Sequence, residues 1–339
     1  MNIFMLIVSI LTSFAVSYLI ASPMIRFERS AGITGMNLMS HRKQRVAEMG
    51  GPIVIFGFAC GLLLYVRACI MSLIGTADLL ELLASLSTIL LMTIIGMIEV
   101  LTSLIEKRSG DDFFKKMKRS GIPRWLYFLI PIPAAIPLIA VNGMSGLISV
   151  PLLGTVSLGG LYTFILIPLA VLCCTNATNF LAGFNGLEAG MGLVLHVTLG
   201  ILSLHAGSTS GAVLSLGFAG ALAAFLLYNW YPAKVYPGGL NYVTGTVCAC
   251  TVIIANIELL GLICFTPWII EAMLKAKSKF RAESFGILQN NGTIKHEGKI
   301  YGLTHLAMRL GIDTEKGVTK ALIVLETAIC ALTLCLALM

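Results

Sequence analysis

Leu161–Leu204 reads LYTFILIPLAVLCCTNATNFLAGFNGLEAGMGLVLHVTLGILSL. Two apolar runs, Leu161–Cys174 and Leu193–Leu204, enclose a polar block, Asn176–Gly192, which holds three amides (Asn176, Asn179, Asn185), one carboxyl (Glu188) and four glycines. The runs belong to candidate membrane spans near 160–176 and 187–204, so the block sits at a membrane boundary. Polar side chains there cost free energy unless they pair or bind something. Amide carbonyls and carboxylates are hard oxygen ligands suited to Mg2+. Glycines let backbone N–H groups approach a phosphate or a base. A ligand-free Gly/Asn turn is the plain alternative; the density of asparagine and the single glutamate argue for a site.

The rest of the chain has the same texture. Of 339 residues 57% are hydrophobic and 12% charged, and mean hydropathy is +0.92. A spanning helix needs about 20 mostly apolar residues. Candidates fall near 2–22, 50–66, 80–104, 126–143, 160–176, 187–204, 211–228, 242–256, 257–275 and 317–338. The eighth and ninth are contiguous and divide at Asn256–Glu258, because the run is too long for one span and Glu258 marks a polar edge. The expected fold is an all-α polytopic membrane protein of about ten transmembrane helices, one integral membrane domain over 1–339, with a cytoplasmic active-site cleft. Barrel strands are excluded by the length of the runs.

Basic residues orient the spans. Arg26, Arg29, Arg42, Lys43 and Arg45 lie in the first loop, Lys107–Arg124 supply seven more in the third, Lys234 lies in the seventh, and Lys275–Lys316 supply the last group. These share one side, and Arg67 stands on the other. By the positive-inside rule the loops near 23–49, 105–125, 176–186, 229–241 and 276–316 are cytoplasmic, and both termini are outside the cell membrane. The net charge of +7 is thus an orientation signal and a means of meeting anionic lipid or phosphate. A nucleic-acid partner is not expected, since no basic soluble domain exists. The first span lacks a positive leading region and a cleavage site, so it reads as a retained helix. Nine cysteines sit mostly in apolar runs without metal-type spacing and read as buried hydrophobes. The Asn176 and Asn291 glycosylation triplets fall on the cytoplasmic side and are discounted.

The polar signatures gather on that cytoplasmic face. VAEMGG (46–51) puts Glu48 beside two glycines at the mouth of the second span, and Glu99 lies in the cytoplasmic half of the third. YNWYPAKVYPGG (228–239) brings aromatics and Lys234; AESFG (282–286) and KIYGLTHLAMR (299–309) bring Glu283 and His305, with Arg281 just before them. Each has a structural reading as well: Glu48 as a helix cap, Arg281 and Glu283 as a surface pair, His305 as part of an amphipathic helix. Together they suit a phosphorylated, metal-associated, cytosolic substrate meeting a lipid phosphate at the bilayer. A transporter would need charges at mid-membrane or matching broken helices, and the sequence signals neither.

These motifs resemble those of the polyprenyl-phosphate N-acetylhexosamine-1-phosphate transferases, which include the dolichyl-phosphate GlcNAc-1-phosphate transferases and the bacterial phospho-MurNAc-pentapeptide translocase. NATNFLAGFNGLEAG is similar to the family signature, and VAEMGG, YNWYPAKVYPG, AESFG and KIYGLTHLAMR resemble the archaeal branch. The resemblance runs over nearly the whole chain. It implies transfer of a sugar 1-phosphate, GlcNAc-1-phosphate above all, from a UDP-sugar to a polyprenyl or dolichyl phosphate. UMP would be released with the help of Mg2+, as the first step of a lipid-linked glycan pathway, in a homodimer. It implies metal coordination by Asn179 and Glu99, with Glu99 catalytic, and uracil contact by Asn185. Asn176, Gly183 and Glu188 would lie in the nucleotide pocket, with Glu48, Lys234, Arg281, Glu283 and His305 around the substrate.

The chain also departs from that pattern. The family's Asp-Asp pair falls on Glu99 and Val100, and its Gly-Asp-Thr falls on Pro237–Asn241 (PGGLN), without the Asp. A D-x-N-K-like run falls on Asn37–Ser40 without the Lys, and Tyr127 stands near the place of a phosphate-contacting Lys. Asp111 and Asp112 lie one loop away as substitutes, or as part of a solvated amphipathic stretch. Two outcomes stay open: a working transferase, or an impaired homologue that binds nucleotide-sugar or lipid phosphate, or serves as an assembly partner.

Overall fold

The computed structural model describes residues 3–36, 44–71, 76–108, 128–141, 146–150 and 154–339. Its helices are α1 (Ile3–Ser30), α2 (Gly51–Met71), α3 (Thr76–Arg108), α4 (Pro131–Ala134), α5 (Ile136–Val141), α6 (Ile167–Phe180), α7 (Leu187–His205), α8 (Thr209–Asn229), α9 (Leu240–Ala255), α10 (Glu258–Cys264), α11 (Thr266–Ala276), α12 (Leu303–Arg309) and α13 (Glu315–Leu338). A π-helical turn, Tyr162–Leu166, leads into α6. Among the described residues seven helical stretches are long and apolar enough to cross a membrane, and α10 with α11 makes an eighth if that bent pair is one span. Shorter apolar segments, Pro131–Val141 and Leu240–Ala255, stand at the expected fourth and eighth spans. This is a multi-pass membrane protein.

Several boundaries differ from the sequence reading. α1 runs on to Ser30 instead of ending near 22, because its last turns still bury Ile25 and Glu28 against the bundle. The 176–186 loop is half helix: α6 continues through Asn176 and Asn179 to Phe180, and only 181–186 is a turn. The expected ninth span is broken, α10 and α11 meeting at 65°; Pro267 at the start of α11 removes a backbone donor there. Three short antiparallel hairpins interrupt the all-helical picture: β1 (Thr34–Met36) with β2 (Arg45–Ala47), β3 (Leu147–Val150) with β4 (Gly154–Ser157), and β5 (Ile287–Leu288) with β6 (Ile294–Lys295).

The bundle is centred on α7 and α8, 72% and 78% buried over their apolar windows, while α1 and α13 are 22% buried and form the rim. Small residues let the helices approach, as packing in lipid requires. Ser9, Ser13 and Ser17, one helical turn apart, are buried along α1. Ser9 Oγ donates to Gly61 O at 2.9 Å, and a Cβ on Gly57 or Gly61 would strike Ser17 or Ser13 at about 2 Å. At the centre, His196 on α7 bonds Ser215 Oγ and Thr244 O, each at 3.2 Å. Ser215 bonds Thr251 at 3.0 Å, which ties α7, α8 and α9 by side-chain hydrogen bonds.

Candidate active site

The turn from α6 to α7 is held by carboxylates and amides rather than by a regular cap. Gly183 (φ +109°) and Gly186 (φ +77°) take the left-handed backbone that other residues avoid. Gly183 N donates to Glu188 Oε1 at 2.7 Å, and Asn185 N donates to Glu315 Oε1 at 2.9 Å. Gly186 N donates to Asn229 Oδ1 at 3.1 Å, and Thr319 Oγ1 donates to Asn185 O at 3.1 Å. Residues from α7, α8 and α13 thus fix one six-residue turn.

That turn lines a cavity of about 530 Å³ shared with Glu48, Glu99, Val100, Tyr236–Gly239, Asn241, Tyr242, Lys275 and the 282–285 segment. The volume lies in the range of small-molecule sites. Backbone lacing brings the loops together. Tyr236 N donates to Ala47 O at 2.7 Å, Gly50 N to Tyr236 O at 2.8 Å and Gly51 N to Gly238 O at 3.2 Å. Glu28 Oε2 accepts from Met49 N at 2.9 Å and holds the Glu48 backbone from below. Burial, with Glu315 and Glu48 nearby, pushes the Tyr236 phenol up, so it stays protonated. Four cavity-lining atoms are buried without a partner: Asn185 Nδ2, Glu188 Oε2, Asn241 Oδ1 and Glu315 Oε2. Buried polar groups are normally satisfied, so these four have bonding capacity that a ligand or water in the cavity would fill.

The α3 edge is built differently. Gly96 and Gly239 touch, and a Cβ on Gly96 would lie 2.9 Å from Gly239 Cα. This close approach sets Glu99, one turn further along α3, beside α9. The Glu99 carboxyl accepts a hydrogen bond from Tyr242. Asn179 Nδ2 donates to Tyr242 Oη at 2.8 Å, and Asn241 Nδ2 donates to Asn179 Oδ1 at 3.4 Å. Among the described residues no three carboxylate, histidine or cysteine side chains gather to hold a metal. The donors present are one carboxylate (Glu99) and two amide oxygens (Asn179, Asn241), the last with its oxygen unpartnered. That set fits Mg2+ held largely by substrate phosphates, the usual way the ion is bound.

A second cavity, about 670 Å³ and almost wholly apolar, lies along α6 and the broken α10–α11 segment, from Tyr162 and Glu258 to Phe180 and Phe280. Phe180 and Phe280 stack at 5.0 Å and line both cavities.

Residues 62–256 match the glycosyl transferase family 4 model, more than half of the chain. The chain belongs to glycosyl transferase family 4. A Sulfolobus acidocaldarius protein, provisionally named as a UDP-N-acetylglucosamine–dolichyl-phosphate N-acetylglucosaminephosphotransferase, is 31% identical over 90% of this chain and 88% of its own length. A Dictyostelium discoideum protein named for the same activity is 27% identical over 74% of this chain and 66% of its own. The phospho-N-acetylmuramoyl-pentapeptide-transferase of Shouchella clausii is 29% identical over 69% of each chain.

In this family 4 chain the cavity gathers Glu48, Glu99, Asn179, Gly183, Asn185, Glu188 and Glu283. Four other expected site residues lie outside its lining. Asn176 Nδ2 donates to Leu172 O at 2.8 Å and Phe128 O at 3.1 Å, and the residue lines the apolar groove instead. Lys234 is exposed over the Tyr228 ring, and Arg281 is exposed. His305 stacks on His296 at 3.7 Å, and its Nδ1 accepts from Tyr301 N at 3.2 Å. Burial, then His296 and Lys275, lower its pKa to about 4, so it is neutral at pH 7. Asn37–Ser40, Asp111, Asp112 and Tyr127 lie outside the described residues.

Sequence reasoning missed Glu315, Asn241, Tyr242 and Lys275. Lys275 had counted only as an orientation charge, yet it is buried and lines the cavity. Its Nζ donates to Ala282 O and Ser284 Oγ, both at 2.8 Å, with Glu271 Oε1 at 3.7 Å. The lysine therefore fastens the 282–285 segment over the cavity. Glu315 follows Thr314, whose side chain caps α13 by accepting from Gly317 N, so the acid looked like part of a helix start.

Proposed function

We propose that this protein transfers a sugar 1-phosphate from a UDP-sugar to a polyprenyl phosphate and releases UMP. GlcNAc and a dolichyl-type lipid are the substrates that the names of the relatives indicate. One observation carries the reading: a polar cavity with four unpartnered buried groups shares its Phe180–Phe280 wall with an apolar groove. The nucleotide-sugar fits the first and the isoprenoid chain the second, so the two phosphates meet at the shared wall.

In the reaction a lipid-phosphate oxygen attacks the phosphorus that carries the sugar. That P–O bond forms as the bond to the bridging oxygen breaks, and UMP leaves with the electron pair. Glu99, Asn179 and Asn241 are the residues that would hold Mg2+, which when bound offsets charge on the diphosphate. Tyr242 keeps Glu99 and Asn179 in register, and Glu99 is the acid placed to take a proton from the lipid phosphate. Lys275 holds the 282–285 cover that keeps water from the reacting groups. The polar loops face the cytosol in this reading, as the basic residues direct.

A second reading has its own observation. Val100 lines the cavity where the resembling family carries an acid, and Asn179 is already engaged by Tyr242. The chain would then bind nucleotide-sugar without turning it over. Radiolabelled transfer in membranes, with UDP-GlcNAc, a short polyprenyl phosphate and Mg2+, separates the two. Transfer that disappears in Asn179→Ala supports the enzyme; UDP-GlcNAc binding with no transfer supports the second reading; neither would overturn both.

A further inference from the structure

Glu315 begins α13, far in sequence from the Asn–Gly turn, yet it is 6% exposed and lines the cavity. Its Oε1 is committed to Asn185 N at 2.9 Å, while its Oε2 is buried with no donor. The Asn185 side chain, itself 4% exposed, has the opposite deficit: Nδ2 is buried with no acceptor. An orphan acceptor and an orphan donor therefore belong to two residues that are bonded to each other.

This pairing restricts the ligand. A bare cation would satisfy the carboxylate and leave the Asn185 amide unmet. A phosphate would do the reverse and face Glu315 with like charge. Both are met by a hydroxyl, which donates and accepts at one atom, or by a ligand with an N–H and a C=O side by side, which meets the two groups with separate atoms. The acetamido group of a sugar offers both, but in a trans amide they point in opposite directions. In a six-membered lactam or imide ring they lie on the same edge. The Phe285 ring, within 2.8 Å of where a Gly183 Cβ would stand, adds a flat apolar wall beside the turn.

We propose that Glu315 is a specificity-determining residue that accepts the ring N3–H of uracil while Asn185 Nδ2 donates to the adjacent carbonyl. The assignment rests on the nucleotide-sugar reading above and adds a residue from a different part of the chain. Cytosine, which presents an unprotonated N3 on that edge, turns an acceptor toward the Glu315 oxygen. Sites that pair buried polar groups with a ligand discriminate strongly against the analogue lacking the partner.

The variant that isolates this is Glu315→Gln. Its carbonyl oxygen still accepts from Asn185 N, so the turn stays clamped, but the free atom becomes an N–H donor. Binding of UDP and CDP to the purified, detergent-solubilised chain is measured by calorimetry, without reference to turnover. The unmodified protein should prefer UDP. In Glu315→Gln the preference should shift toward CDP by roughly 10-fold or more, the scale of one lost or reversed buried hydrogen bond. A ratio unmoved by Glu315→Gln overturns the assignment and leaves the nucleotide reading standing. Binding of neither nucleotide by the unmodified chain overturns both. Should Glu315→Gln fail to fold, 3-methyl-UDP, which lacks the N3–H, is titrated into the unmodified protein. Binding as tight as UDP overturns the proposal, and binding weaker by about 10-fold or more supports it.

Discussion

Two edges of one cavity are built on different terms. At the Asn–Gly turn the two carboxylates that face the cavity are fixed through backbone N–H donors, Glu188 on Gly183 and Glu315 on Asn185, while Asn229, outside the lining, holds Gly186 N. At the α3 edge they are fixed through other side chains, in the chain Glu99–Tyr242–Asn179–Asn241. A side chain that also closes a turn cannot be exchanged without leaving a backbone donor unmet, whereas one held by a neighbouring side chain can be replaced together with that neighbour. The turn keeps the residues of the motif it resembles. The α3 edge has Glu99 and Val100 where the resembling family carries an Asp-Asp pair, and Pro237–Asn241 where that family carries Gly-Asp-Thr.

The sharpest way to break this contrast is at Asn179. Asn179→Ala should lower transfer by about 100-fold or more, the scale of a lost main electrostatic contact, while UDP affinity moves less than about 3-fold; transfer assay and calorimetry read the two. Next comes Glu188→Ala, which removes the charged acceptor of the Gly183 N–H. A loss of roughly 1–3 kcal/mol of stability is expected, seen as a lower thermal midpoint together with lost UDP binding. A third pair separates the two missing acids. Val100→Asp adds an oxygen ligand to the cavity and should raise transfer by about 10-fold. Gly239→Asp forces a side chain into φ +80° against Gly96 and should cost about 1–2 kcal/mol with no gain in rate.

The smallest effect concerns His305. Its folded pKa, about 4, lies below the unfolded value of about 6.5, so the unfolded chain binds the proton first on acidification. The stability contributed by its neutral form is complete above about pH 6.5 and is lost as pH falls toward 4. His305→Gln should remove at most about 1.4 kcal/mol per pH unit from that slope, measured as thermal midpoint against pH. Transfer between pH 7 and 8 should be unchanged.

How legible all this was in the sequence follows the same division. Hydropathy placed the helical segments, because burial in lipid is written residue by residue, but the break in the ninth span went unread, because the 257–275 run stays apolar through Pro267. The contiguous block gave Asn179, Gly183, Asn185 and Glu188 because they lie within ten residues of one another. Glu315, Tyr242 and Lys275 stayed hidden: each stands at the end of an apolar helix, where a cap, an interfacial aromatic or an orientation charge accounts for it equally well. Only the packing of α9, α11 and α13 around the turn distinguishes these uses. Conversely, Lys234 and Arg281 had the charge expected of a phosphate site but were carried outward by loops whose direction no local pattern specifies.

The contact between Gly96 and Gly239 has a mechanical consequence. A side chain at 239 alone meets the backbone of α3, and one at 96 alone meets the backbone of Gly239. Either position takes a larger residue only if α3 and the 237–241 loop move apart together. The touching glycines act as a fixed spacer for that edge of the cavity, and the Asn–Gly turn, which shares neither residue, is not set by it.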